Sequence, residues 1–371
     1  MKKVCIVTSA RSEYGIFRWI IDSFHRDKSI ELQLVVTGAH LSSDQGLTYR
    51  FIEADGYEIT EKVPMLLACD DEFGVAKSMG VCSISFADTF NRLKPDMVVV
   101  LGDRYELLPI VSAALIMRIP IAHIGGGDVT EGAVDDEVRN AVTMMSTLHF
   151  PGVKDSADNI CRMRGSNKNV YQVGEPGLDS FKRLNLMNRD ETAKELYLDF
   201  GEKWCLVTLH PETKLCLKDN LEMAQNLYQS LLKTKGIQYI ITKANADVGG
   251  SSINKFWDDI VSKQPDIFHF YSSLGQIRYL SLMKHVDFLI GNSSSGIVEA
   301  PFLGTPVINI GERQKGRHIC SNVVCCERDA NAILQAINTA LTKERIPDYY
   351  WGDGNTSIKI VNIIKDYLFK S

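Results

Sequence analysis

Apolar residues fall along this chain in short dense runs that alternate with longer stretches of helical periodicity. Residues 4–8, 32–37, 97–101 and 119–124 read as buried strands, and 15–26, 75–93 and 105–117 read as amphipathic helices between them. After Phe150-Pro151-Gly152, a helix at about 156–163 and a strand at 170–173 lead to Gly174-Glu175-Pro176-Gly177. That cluster of turn formers marks a domain boundary. The scheme then repeats. Strands are predicted at 204–209, 237–242, 267–270, 288–290 and 307–310, and helices at 217–233, 253–262, 275–284 and 330–341.

Strands apolar on both faces, alternating with helices, predict parallel sheets covered on both sides. The expected architecture is α/β: two Rossmann-like, doubly wound domains with a central cleft, residues 1–176 and 177–356. A last amphipathic helix at 357–371 is expected to return to the first domain. Ligands of such sheets gather at the carboxyl ends of the strands, so the informative motifs should stand just after strands.

Composition narrows the classes. A net charge of −5 gives no general drive toward nucleic acid or an anionic membrane. No apolar run approaches the ~18 residues of a membrane span, and the nine cysteines lack metal-finger spacing. They read as reduced thiols, so the chain is expected to be cytoplasmic, without a metal. The opening strand is not followed by G-x-G-x-x-G, and there is no Walker lysine motif, so no nucleotide cofactor is expected.

Strand ends carry the candidate chemistry. Gly291-Asn292-Ser293-Ser294-Ser295-Gly296 follows the 288–290 strand and opens a helix that is expected to run toward Gly304. Amides at a helix start, joined by serine hydroxyls, suit an anion, although serine is also a common N-cap. Glu299 lies one turn further in, where a carboxylate accepts from ribose hydroxyls or simply faces solvent. Gly311 to Arg317 sets Arg313, Lys315 and Arg317 on one loop, suited to a diphosphate or a base.

In the first half, Asp103 and Arg104 follow the 97–101 strand. The next strand ends in His123-Ile124-Gly125-Gly126-Gly127-Asp128, and Glu131 and Asp135-Asp136 come next. Three glycines allow a close backbone approach to a ligand, and the crowded acids are candidates for acid–base work. Dipole preference at a helix start explains Asp135 and Asp136 well, but Asp128 and Glu131 poorly. His210, before Pro211, is a further acid or base near neutral pH. Arg11 and His40 end the first two strands, where each is placed to meet diphosphate or sugar.

Taken in order, the chain resembles the hydrolysing UDP-N-acetylglucosamine 2-epimerases of sialic and legionaminic acid biosynthesis. Arg11 to Gly15, Thr37 to His40, Gly102-Asp103-Arg104, Gly126-Gly127-Asp128, Asp135-Asp136 with Arg139, His210-Pro211, Asn245-Ala246-Asp247, Gly291 to Gly296 and Arg313 to Arg317 carry the likeness. The resemblance implies a GT-B-like fold, no cofactor or metal, and a homo-oligomer, dimer or tetramer. It also implies release of a manno-configured free sugar and UDP from a nucleotide-sugar. On it, Asp103, Asp128, Glu131, Asp135 and His210 are the catalytic candidates. Arg11, His40, Arg104, Arg139, Asn245, Ser293, Ser294, Gly296, Glu299 and Arg313 would bind substrate, Glu299 at the ribose.

One departure stands out. Several relatives of that family carry an acid where this chain has Gly125, and Asp128 or Glu131 is the expected replacement. The change leaves a 2,4-diacetamido-6-deoxy sugar, and GDP in place of UDP, open as alternatives. A non-hydrolysing epimerase, a GT-B glycosyltransferase and an inactive nucleotide-sugar sensor are the competing readings.

Overall fold

A computed structural model of the chain describes residues 1–67, 71–129, 134–212, 215–244 and 249–370. The chain divides into a first unit, Met1–Ser180 with the segment from Gly352 onward, and a second, Phe181–Trp351. The first unit is built on β1 (Lys2–Thr8), β2 (Ile30–Thr37), β3 (Glu61–Val63), β4 (Met97–Leu101), β5 (Ile121–Ile124) and β6 (Leu148–Phe150). They lie in the order β3-β2-β1-β4-β5-β6, every neighbouring pair parallel.

Burial on both faces explains why β1 reads as an unbroken apolar run. Val4 and Ile6 pack with Phe17, Ile20 and Phe24 on one side, while Cys5 and Val7 pack with Phe86 and Phe90 on the other. Winding reverses between β1 and β4, so the loops after these two strands part and leave room above the sheet edge.

The second unit repeats the plan with β7 (Lys203–Thr208), β8 (Ile237–Thr242), β9 (Phe268–Tyr271), β10 (Phe288–Gly291), β11 (Val307–Ile310) and β12 (Val323–Cys326). Its order is β12-β11-β10-β7-β8-β9, again parallel throughout. Both sheets therefore switch direction beside their first strand. Among the described residues no helix is long and apolar enough to cross a membrane.

Three strands escape the hydrophobic pattern, and one predicted strand is absent. β3, β6 and β12 lie at or next to sheet edges, where three or four residues suffice and polar side chains are tolerated. The segment 170–173 is not a strand. It touches β6 through one bridge, His149 to Val170, and past the strand's end the Val173 amide donates to the Pro151 carbonyl at 3.1 Å. Pro151 and Gly152 end β6 after three residues, too few for a longer ladder.

The C-terminal helix Thr356–Lys370 belongs to the first unit. Ile360, Val361, Ile364 and Leu368 bury themselves beside the helix Arg11–His25. Its N-terminus is capped from far away in sequence. The fully buried carboxylate of Asp179 accepts the Thr356 and Ser357 amides, both at 2.8 Å, and the Ser357 hydroxyl. This carboxylate ties the helix start to the turn Pro176–Asp179, so it docks the helix as well as capping it. Asp179→Ala is therefore expected to lower the unfolding free energy by about 2 kcal/mol in denaturant titration. The exposed Glu344→Ala should change it by less than ~0.5 kcal/mol.

Candidate functional site

In the first unit the acids converge on a buried guanidinium. Arg139, on the helix Val134–Met145, is only 5% exposed. Its Nη2 pairs with the Asp103 carboxylate after β4. Its Nη1 donates to Asp136 at 3.1 Å and to the main-chain oxygen of Asp128 at 2.9 Å. A buried guanidinium needs acceptors, and here they come from β4, the loop after β5 and its own helix. The Asp103 side chain stays about a third exposed (32%), open to a ligand.

The structure sorts the remaining acids. Asp135 is exposed on the first helical turn, and Asp136, which the sequence reading left in the background, is the Arg139 partner. The Asp128 carboxylate accepts the Ser156 hydroxyl, which ties this loop to the helix Lys154–Arg164. Glu131 and Asn245 lie outside the described residues.

The three glycines do not act as the sequence suggested. A Cβ on Gly127 would stand 2.1 Å from the Ser156 carbonyl oxygen, and one on Gly126 2.8 Å from Thr143 Oγ1. Both serve close packing inside the protein. Only Gly125, at φ +76°, has room above it. His123 is structural too: buried, it joins Gly102 O and Thr143 Oγ1 at 2.8 and 3.2 Å, and burial pushes its pKa down to about 4.

Beside this cluster, at the switch between β1 and β4, lies a cleft of about 980 Å³. Arg11, Ser12, Arg104 and Glu106 line it together with Leu66, Leu67 and Val75. Arg11 is exposed and rests its guanidinium 4.5 Å from the centre of the Phe51 ring. Arg104 donates to the buried Glu106 carboxylate at 2.6 Å, so an inward acid holds the cation at the cleft wall. Glu106 was missed, although it stands only two residues after Arg104.

His40 must be corrected. It is fully buried, with Nε2 3.1 Å from Thr8 Oγ1 and Nδ1 2.9 Å from Thr48 Oγ1. Burial brings its pKa down to about 4, so it is a neutral brace behind the wall and not a ligand contact. Glu13 fills the turn after β1. Its carboxylate accepts the Ser9 and Ala10 amides at 2.5 and 3.2 Å and the Ser9 hydroxyl at 2.9 Å. These amides are where a dinucleotide pyrophosphate would sit in a G-x-G-x-x-G turn, and here an internal anion occupies them.

In the second unit Asn292 fastens the motif loops to each other. Fully buried, it accepts the His210 amide at 2.8 Å and donates to the His210 carbonyl at 2.8 Å. Arg313 Nη1 and Gln314 Nε2 both donate to the Asn292 carbonyl, at 3.2 and 2.8 Å. The loops after β7, β10 and β11 are thus locked at one sheet edge, and His210, Ser293 and Arg313 come from this assembly. Glu212 reinforces it by accepting the Glu312 amide at 3.0 Å.

The serine motif differs from expectation in its helix. Ser294–Val298 makes a single short turn, and a second helix, Ala300–Leu303, follows around Pro301. So brief a helix adds little dipole, which leaves hydroxyls and loop amides as the candidate anion donors. Ser294 is exposed, while Ser293 receives the Ser295 hydroxyl at 3.1 Å and Ser295 meets the Tyr279 hydroxyl at 2.6 Å. Gly296 is a packing glycine: its Cβ would stand 2.9 Å from Val307 Cγ1. Glu299 is half-buried, and burial pushes its carboxyl up to about 7 against the pull of Arg317.

Two doubly wound parallel units, each with polar groups at the carboxyl ends of the strands, place the chain among two-domain Rossmann-like α/β proteins. More narrowly, residues 22–365 match the UDP-N-acetylglucosamine 2-epimerase family, and the chain belongs to it. It is 40% identical over 343 residues to the GDP/UDP-N,N'-diacetylbacillosamine 2-epimerase (hydrolyzing) of Campylobacter jejuni, covering 92% of this chain and 88% of that one. With the UDP-N,N'-diacetylbacillosamine 2-epimerase (hydrolyzing) of Legionella pneumophila it shares 32% identity, over 98% and 96% of the two chains. The fold is similar to the crystal structure of UDP-GlcNAc 2-epimerase from Neisseria meningitidis bound to UDP-GlcNAc. The TM-score is 0.79 at 17% identity, over 98% of this chain and 100% of that one.

The raised Glu299 carboxyl has a consequence for stability. Between pH 4.5, its ordinary pKa, and about 7, the folded protein keeps a proton that the unfolded chain has lost, so stability falls as pH rises through this window. Without ligand, Glu299→Gln should therefore melt higher than the parent at pH 8 and level with it at pH 4.5. A melting difference that is the same at both pH values would mean that this carboxyl titrates normally.

Proposed function

We propose that the chain is a hydrolysing 2-epimerase that converts a UDP-linked 2-acetamido sugar into the free manno-configured sugar and UDP. The observation that carries this reading is the half-open Asp103 carboxylate, fixed by buried Arg139 at the end of β4 next to the other acids. The reaction needs such a group. C2–H of a glycoside has no neighbouring carbonyl, so its proton becomes acidic only as the diphosphate departs and C1 gains positive charge. A base at C2 and donors for the departing diphosphate must therefore act together.

In this reading Asp103 takes the C2 proton, and Arg139 sets the position of its carboxylate. Ser293, Ser294 and Arg313 receive the diphosphate, and Arg11 and Arg104 supply further positive charge. Glu299 accepts from the ribose, where its raised carboxyl favours a partner that both donates and accepts. Water then adds across the C1–C2 double bond, its hydroxyl to C1, and C2 is reprotonated on the opposite face. Asp128, Glu131, Asp135 and His210 are the candidates for that second proton transfer. The two hydrolysing relatives support diacetylbacillosamine as the sugar, and the Campylobacter jejuni one leaves GDP beside UDP as the nucleotide.

Turnover in heavy water, followed by NMR, tests the reaction. The expected products are free UDP and a manno sugar carrying deuterium at C2, whereas a product still bound to nucleotide would point to a non-hydrolysing epimerase. Asp103→Asn should lower kcat roughly 10²–10⁴-fold while UDP affinity stays within about threefold. Ser294→Ala should do the reverse, weakening UDP by about tenfold through loss of a hydrogen bond to a charged group.

A further inference from the structure

The cleft of the first unit joins two chemistries that a plain hexose does not need together. Arg11 and Arg104 bring positive charge to it, and Glu106 holds Arg104 at 2.6 Å. The same cleft is lined by Leu66 and Leu67, adjacent residues after β3 that are 42% and 40% exposed, and by Val75. The leucines are not a loose tip. Their neighbour Met65 is buried, and the Leu67 amide donates to the buried Ser78 hydroxyl at 3.1 Å, which pins the stretch to the helix Glu72–Leu93. The protein therefore holds uncovered leucine surface at fixed positions beside two guanidinium groups.

Resting on the nucleotide-sugar reading above, we propose that Leu66 and Leu67 are the specificity wall of the sugar site. They select a 2,4-diacetamido-2,4,6-trideoxyhexose over N-acetylglucosamine. The two sugars differ at C4 and C6. N-acetylglucosamine presents hydroxyls there, and a leucine wall offers them no acceptor, so entry strips them of water without return. The trideoxy sugar presents a C6 methyl and an acetamido methyl, whose apolar surface covers leucine and is removed from water with it. The guanidinium side of the cleft remains for polar groups of the ligand.

The test uses the full chain with two substrates, UDP-N,N'-diacetylbacillosamine and UDP-N-acetylglucosamine, and reads kcat/KM by UDP release. The parent should favour the first by at least about tenfold, the scale of discrimination that an apolar pocket gives to single methyl groups. Leu66→Asn and Leu67→Asn, made separately, should each lose roughly tenfold on the first substrate and less than about twofold on the second, with inhibition by UDP unchanged. Leu67→Met, which keeps volume and apolarity, should keep the parent's preference. If an asparagine variant does not fold, the alanine variant at the same position takes its place, with the same selective loss expected.

Equal losses on both substrates, an unchanged ratio in the variants, or a parent that prefers UDP-N-acetylglucosamine would each overturn the proposal. If the parent releases UDP from neither sugar, the reaction itself has been misread. That outcome is distinct from a parent that turns over both sugars without preference, where only the leucine wall fails.

Discussion

A guanidinium that is only 5% exposed cannot be left without oxygen around it, and the first unit is arranged to supply that oxygen to Arg139. Asp103 reaches it from the end of β4, Asp136 from one turn earlier on its own helix, and the loop after β5 gives the Asp128 carbonyl. Moving any of these would strand a buried charge, so one cation fixes the end of β4, the loop after β5 and the helix that follows relative to one another. The triglycine loop can comply because Gly126 and Gly127 let it lie flat against the helices bearing Thr143 and Ser156. The glycines expected to bring backbone close to a ligand are largely a packing device that delivers Asp128 to the cluster.

The second unit reaches the same end by a neutral route. The side-chain oxygen and nitrogen of Asn292 each bond the backbone of His210, while its main-chain carbonyl receives Arg313 and Gln314. An amide suits this work better than a charged group, since it satisfies donors and acceptors of two strand ends without adding a buried charge. The serine residues thus rest on a rigid base, although the helix that follows is too short to lend much dipole. Glu13 plays the opposite part in the first unit, where its carboxylate closes the amide turn after β1 to any external anion and leaves the Arg11 side chain as the exposed charge.

Several candidate residues were legible in the sequence because parallel sheets gather polar loop residues at their strand ends. Asp103, Asp128, His210, Ser293 and Arg313 each follow an apolar run, and the runs were readable because burial on both faces leaves no alternation to confuse them. His40 and Gly296 also stand after strands and were misjudged. The chain position was right, but the direction of the His40 side chain and the closeness of Val307 to Gly296 are set by neighbours that are remote in sequence. Asn292 stood inside a quoted motif without a role and Glu106 two residues beyond another, because nothing local shows that a polar side chain is buried and partnered.

By itself, then, the sequence determined the local periods: which runs are strands, which are helices, and which turns carry charge or glycine. These depend on neighbours within a few residues, and side-chain pattern records them directly. The tertiary structure alone decided which acids share a guanidinium, which glycines pack and which histidines are closed off. It also decided that Asp179 caps a helix 177 residues away and that short edge strands complete both sheets. Such contacts depend on packing between segments distant along the chain, and no local pattern carries that information.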